Sequence, residues 1–301
     1  MRHAQPGPGG AGALDGWSVL ITGGGSGIGL ACAQRLAADG AAVTLCGRSA
    51  ARLARAALAV RSAGVPADRV RVVAADVTDE EEVAAAVAVA AAPLTGGGGR
   101  RLDAAVLSAG GSETLGPLTR LDAADWRRTF DVNVTGAWLT IKAAAPVMAE
   151  RGRGSLVAVS SLVGVVTHRY LGAYGPSKAA LDSLCRLAAD ELAPSGIRVN
   201  AVRPGWTRTD LVAPFLACAP VLDDVLACAP LGRVGEVDDV AAAVRFLVGP
   251  EAPWITGQAL GVDGGHGLRR GTDITPVVAP VFGPDALRGA AAPATPAAGP
   301  G

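Results

Sequence analysis

Tyr174 and Lys178 stand four residues apart in the stretch LGAYGPSKAA, residues 171–180. On a helix that spacing puts both side chains on one face. Free tyrosine and free lysine each release a proton only near pH ~10, so neither alone is a useful acid or base at neutral pH. Held together they differ: a lysine that keeps its proton stabilises a phenolate and draws the tyrosine pKa toward the working range. The spacing alone also fits an idle surface pair. Ser161 lies upstream at the end of an apolar run, where a hydroxyl can stabilise a developing negative charge or simply cap a strand end. Asn133 sits in DVNVTG, inside a long helical pattern where asparagine is a poor helix former, as a functional group or as a kink.

A second constellation opens the chain. TGGGSGIG, Thr22–Gly29, follows an apolar run and begins a helical one. Gly23 permits the backbone angles of a tight turn. Gly27 and Gly29 let the backbone approach a pyrophosphate and let the helix pack on a sheet, and the helix start offers free N–H groups to the anion. Gly25, Ser26 and Ile28 complete the loop. The spacing is not that of a nucleoside-triphosphatase loop, and no lysine follows it. The next apolar run ends Cys46-Gly47-Arg48-Ser49. An acidic residue there would hold the ribose 2′-hydroxyl of NAD. Arg48 instead suits the 2′-phosphate of NADP, unless it is a solvated residue at a helix start. NADP(H) is favoured and NAD(H) remains possible. Asp76, with Val77 after it, either accepts a hydrogen bond from the adenine amino group or caps the helix that begins near Asp79.

The elements that must position these residues alternate regularly. Strands are expected at 17–22, 42–46, 69–75, 103–108, 155–160, 197–202 and 258–264, with helices at 27–38, 50–62, 79–92, 122–150, 172–193 and 237–248. The strands are apolar on both faces, as in a parallel sheet covered by helices on each side. The fold class is α/β: a doubly wound (Rossmann) seven-stranded parallel sheet in a single domain. Residues 1–14 read as a disordered arm, 15–267 as the folded unit with an apolar lid at about 207–233, and 268–301 as a mostly disordered tail rich in Gly, Pro and Ala.

Composition narrows the function. The chain has 301 residues, 50% hydrophobic and 18% charged, with 27 basic and 27 acidic residues. No basic run points to nucleic acid, no apolar run is long enough to span a membrane, and the N-terminus lacks the apolar core of a signal peptide. Five cysteines, an odd number without a CxxC, fit a reducing compartment, and no cluster has metal-ligand spacing. The expectation is a cytoplasmic protein with a small-molecule substrate. His168 and His266 read as lone loop histidines, structural or substrate-side, and Tyr170 as a pocket or surface residue.

Taken together, the sequence resembles the classical short-chain dehydrogenase/reductase family from about Leu14 to Gly265. The family's TGxxxGxG is here Thr22–Gly29; its Ser–Tyr–Lys set is Ser161, Tyr174 and Lys178; its helix asparagine is Asn133; its PG motif is Pro204-Gly205. The resemblance implies hydride transfer between a nicotinamide cofactor and a secondary alcohol or ketone. It makes Tyr174 the general acid/base and gives Lys178 contacts to the nicotinamide ribose. Ser161 would hold the substrate oxygen, Asn133 would support a water leading from Lys178 to solvent, and Thr207 and Thr209 would lie near the nicotinamide. Where the family has NNAG this chain has Leu107-Ser108-Ala109-Gly110, so an altered loop is expected, with Ser108, Ala109 and Gly110 still beside the cofactor. The lid residues suit a hydrophobic substrate, steroid-like, acyl or terpenoid. Family members are commonly homo-oligomers, tetramers or dimers. The rival function is a non-catalytic dinucleotide-binding sensor or scaffold.

Overall fold

The computed structural model describes residues 12–93, 99 and 101–289. The first half runs β1 (Ser18–Thr22), α1 (Gly27–Ala38), β2 (Ala42–Gly47), α2 (Ala50–Ser62), β3 (Val70–Ala74) and α3 (Glu80–Ala91). The second begins with β4 (Ala104–Leu107) and α4 (Ala123–Phe130), followed by a π-helical turn at Asp131–Thr135, α5 (Gly136–Ala149), β5 (Gly154–Val159), α6 (Tyr174–Leu192) and β6 (Ile197–Pro204). It ends with α7 (Ala213–Leu216), α8 (Ala219–Cys228), α9 (Val237–Val248), β7 (Ala259–Val262) and α10 (Thr275–Leu287). The seven strands form one parallel sheet in the order β3-β2-β1-β4-β5-β6-β7.

Alternate side chains on each strand enter opposite cores. Val19, Ile21, Leu45, Val106, Val157 and Val202 join the apolar faces of α1, α2 and α9, while Leu20, Leu107, Leu156, Ala158 and Val199 join α3, α5 and α6. Burial on both faces is why the strands read as unbroken apolar runs. The chain winds outward from β1 to β3, then returns to place β4 against β1. That reversal opens a crevice at the carboxyl ends of β1 and β4, the usual ligand position in such sheets.

Three expectations differ from the structure. The helix expected over 122–150 is interrupted: the π turn inserts one extra residue per turn between α4 and α5 and turns Asn133 inward. The arm expected to reach residue 14 ends earlier, because Leu14 is fully buried in the core and its N–H donates to the Asp39 carbonyl. The tail expected to be mostly disordered from 268 carries α10. Ile274 and Val278 are buried beside Val221 and Val225 of α8, and the Phe282 ring covers Gly116 so closely that a Cβ there would strike it. Tertiary contact outweighs a poor helix sequence here: Pro280 and Pro284 lie inside α10, and Gly283, at φ 74°, breaks it. Residues 1–11 of the arm and 290–301 of the tail lie outside the described residues.

Candidate active site

The carboxyl ends of β1, β4, β5 and β6 open on a cleft of about 250 Å³. Its lining includes Gly23, Ser26, Gly27, Ile28, Gly29, Ser108, Ala109, Gly110, Ser161, Tyr174, Lys178, Pro204, Gly205, Thr207 and Thr209. The glycines are there for space. A Cβ at Gly29 would collide with the Gly23 carbonyl oxygen, one at Gly23 would lie 2.8 Å from the Ala109 nitrogen, and Gly23 and Gly27 have φ of 67° and 52°. Ser26 stands at the N-cap of α1 without capping it by its side chain, so the first amides of a buried-faced helix and a serine hydroxyl are left for a ligand. This donor set fits a dinucleotide pyrophosphate.

The other expected cofactor contacts fall at the rim. Gly25 packs toward Arg52 and Leu53 rather than the cleft. Arg48 is exposed at the end of β2 and, with Arg128, helps hold the Asp76 carboxyl below its usual pKa; the bond from the Thr78 amide is the larger cause. Asp76 is not the cap of α3. Asp79 caps it, accepting from the amides of Glu81 and Glu82, while Asp76 accepts from the Thr78 amide and hydroxyl at 3.0 and 2.8 Å. The Val77 side chain is buried with Val83 and Leu139 against Gly136, leaving only its backbone for a cofactor. Leu107, in place of the family's first asparagine, is absorbed into the core, and the loop is held instead by the Thr22 hydroxyl, which accepts from the Ala109 amide at 3.2 Å.

Tyr174 begins α6, and Lys178 follows one turn later with its ammonium 5.6 Å from the phenol ring centre. Lys178 is 3% exposed and donates to the Val159 carbonyl at 2.9 Å. Burial lowers its pKa to about 8, against the opposing pull of Asp182. Burial also pushes the Tyr174 phenol up, while a hydrogen bond with Ser161 works the other way. Ser161 lies two residues beyond β5 and accepts from the Val163 amide at 3.4 Å. Asn133 bridges the loop after β4 to α6: its Oδ1 accepts from the Gly111 amide at 2.9 Å, and its Nδ2 donates to the Gly111 carbonyl and the Ser177 hydroxyl, each at 2.8 Å. Both amide hydrogens are used within the protein, so the side chain is a brace, and water contact is left to the free lone pair of Oδ1. Sequence marks neither Gly111 nor the bond from Asn133 to Ser177, which reads only as a small residue near the helix start that leaves room for a cofactor.

A second cavity, about 260 Å³, adjoins the cleft. Ser161, Tyr174, Pro204, Gly205, Leu211 and Val212 line both. Its remaining walls are largely apolar: Leu115, Leu162, Val163, Leu171, Trp206 and Phe215, with Ser112, Glu113, Thr114 and His168 as polar members. His168 and His266 are not lone residues. Their rings lie 5.3 Å apart, and burial lowers both pKa values.

A family model described as enoyl-(acyl carrier protein) reductase matches residues 23–267. The chain belongs to the short-chain dehydrogenase/reductase family. It is 41% identical over 248 residues to cis-4-hydroxycyclohexanecarboxylate dehydrogenase of Sinomonas cyclohexanicum, covering 82% of this chain and 95% of that protein. It is 38% identical to galactitol 2-dehydrogenase (L-tagatose-forming) of Cereibacter sphaeroides, covering 84% and 96%. A short-chain type dehydrogenase/reductase from Mycobacterium ulcerans superposes with a TM-score of 0.88 at 45% identity, covering 92% and 99%. This short-chain dehydrogenase/reductase is an oxidoreductase acting on CH–OH groups, with a nicotinamide dinucleotide as the family's cofactor. Among the described residues no cluster could hold a metal ion, and no helix is long and apolar enough to cross a membrane.

Proposed function

We propose that the chain is an NADP(H)-dependent dehydrogenase/reductase for compact, uncharged, mainly apolar secondary alcohols and their ketones. The observation that carries this reading is that Ser161 and Tyr174 stand where the glycine-lined cleft meets the apolar cavity. When bound, the nicotinamide supplies or accepts the hydride. Tyr174 gives a proton to the developing alkoxide in reduction and takes one in oxidation. Lys178, kept positive, stabilises the phenolate form and offers its remaining N–H groups to the cofactor's ribose. Ser161 donates to the substrate oxygen. Asn133 holds the loop and α6 in register through Gly111 and Ser177.

The cavity supports the substrate class. Among the described residues no lysine or arginine lines it to hold an anionic tail, and Glu113 at its edge is paired with Arg128 at 3.2 Å. His168 is fixed as the Nδ1–H tautomer by the Val166 carbonyl, 3.0 Å away, which can only accept. Its Nε2 therefore favours a hydroxyl or N–H on the substrate. The ring alcohol in the name of the Sinomonas relative supports an alicyclic substrate, without its carboxylate. Arg48, exposed beyond the glycine loop with no acidic residue at the end of β2, supports NADP over NAD. The five unbridged cysteines support a reducing compartment such as the cytoplasm. Exposed Trp138 on α5 and Trp254 ahead of β7 support a homo-oligomer.

A cofactor-coupled screen of cyclic and open-chain alcohols and ketones, charged and uncharged, tests this. Arg48→Asp should move preference from NADP toward NAD by at least about tenfold in kcat/KM. An unmoved preference refutes the role of Arg48, and cofactor binding without turnover of any member refutes the activity.

A further inference from the structure

Asp182 lies one helical turn beyond Lys178 on α6, a spacing that brings side chains together. Both are 3% exposed. A buried carboxylate needs partners, and Asp182 has them on one oxygen only. Oδ2 accepts from Arg203 Nε at 2.8 Å, while Oδ1 is buried with no hydrogen-bond partner among the described residues. Leaving half a carboxylate unsatisfied in a dry interior is unfavourable, so its persistence calls for a physical reason. The Asp182 carboxylate is the leading charge acting to keep the proton on Lys178.

We propose that Asp182, anchored by Arg203, is a positioning residue that keeps Lys178 protonated, and so sustains the Tyr174 acid–base step without touching substrate or cofactor. The assignment rests on the proposed use of Tyr174 and Lys178. The need is plain from geometry: Lys178 is enclosed, its one protein acceptor is the neutral Val159 carbonyl, and no carboxylate pairs with it within ion-pair distance among the described residues. Burial alone would strip its proton close to working pH. The opposing attraction of Asp182 is the leading one. The other groups facing Lys178 do not replace it. Cys185 on α6 stays a neutral thiol, its pKa pushed up to about 12 by burial. The Tyr174 phenol, the Asn133 amide beside Gly110 and the Ser160 hydroxyl, which donates to the Lys178 carbonyl, carry no charge. Arg203 on β6 is positive but is paired to Oδ2 of Asp182, which fixes the carboxylate's orientation. Sequence offers no sign of this triad, since an i, i+4 Lys–Asp spacing is common on helices and Arg203 comes close only through the fold.

The chain has two lysines, Lys142 and Lys178. Lysine-selective isotope labelling therefore gives two side-chain NMR signals, with the half-exposed Lys142 as internal reference. In the full chain Lys178 should titrate near 8. Asp182→Asn should weaken its proton affinity by at least about tenfold, from a charge one turn away in a protein interior, and leave Lys142 unmoved. Asp182→Asn/Arg203→Gln, which removes both charges so that neither is left buried alone, guards against misfolding of the single variant; it should displace the midpoint in the same direction but by less, because the Arg203 charge that opposed the lysine proton is gone as well. A Lys178 midpoint unchanged in both variants overturns the proposal. Turnover should fall on the alkaline side and recover as pH is lowered, which a merely structural role would not do; loss at every pH would count against it. A displaced Lys178 midpoint with unaltered turnover at all pH values would refute the use of the lysine charge in the reaction, not the assignment of Asp182.

Discussion

Replacing Lys178 by methionine should end turnover and make the protein more stable. The side chain is 3% exposed, and burial holds its pKa at about 8 instead of 10.5. At about 1.4 kcal/mol per unit, the charged form costs the fold about 3 kcal/mol, net of the attraction of Asp182. Methionine is similar in length and carries no charge to bury. It would leave the Val159 carbonyl without the 2.9 Å bond from Lys178, returning about 1 kcal/mol. The balance is about 2 kcal/mol in favour of Lys178→Met, a rise of roughly 4–8 °C in Tm for a domain of this size. The sign of the pH dependence is fixed. Below the folded-state pKa of about 8 both states of the wild type carry the proton and the penalty is complete. Between about 8 and the unfolded value of 10.5 the unfolded chain holds more protons, so wild-type stability rises with pH and the variant's advantage shrinks. Calorimetric scans of the cofactor-free proteins from pH 6.5 to 10 would read it. A variant that melts lower at neutral pH, or a difference that ignores pH, refutes the reasoning.

Tyr174→Phe removes only the phenol oxygen and should lower turnover by at least about a hundredfold, while cofactor affinity measured by calorimetry stays within about threefold. Phe282→Ala withdraws the ring that covers Gly116. It should weaken docking of α10 by about 2 kcal/mol and raise hydrogen exchange and proteolysis across residues 270–289. The KM for the alcohol should rise more than that for the cofactor, because α10 packs on the lid helix α8 and not on the glycine loop.

Most of the sheet was legible because its central strands β1, β2, β4 and β5 are buried on both faces, so their apolar runs stand out against the alanine-rich helices. The glycine loop and the Ser161, Tyr174 and Lys178 spacing were legible because backbone clearance and hydrogen-bond reach fix residue type and separation. Other features leave no such mark. The π turn at Asp131–Thr135 sits inside a continuous helical pattern, with Asn133 its one local irregularity. The pairing of His168 with His266 joins two distant loops. α10 is stabilised by Val221, Val225 and Gly116 rather than by its own proline-broken sequence. Each depends on contacts across the chain, which local periodicity does not encode.

The fastening of the lid bears on how the protein is made. Asp224 of α8 receives the Arg270 guanidinium and the Asp273 amide, Trp206 donates to Thr272 at 3.0 Å, and α10 lies over the same apolar cluster. Each fastening has one partner beyond β7, in Arg270, Thr272, Asp273 or α10, and that partner leaves the ribosome after the whole sheet is available to fold. Until they dock, the cavity beside Tyr174 has an unsecured roof and the apolar inner side of α8 is open to water. A nascent chain arrested after β7 would thus display a greasy surface for chaperones or proteases, which docking of α10 hides.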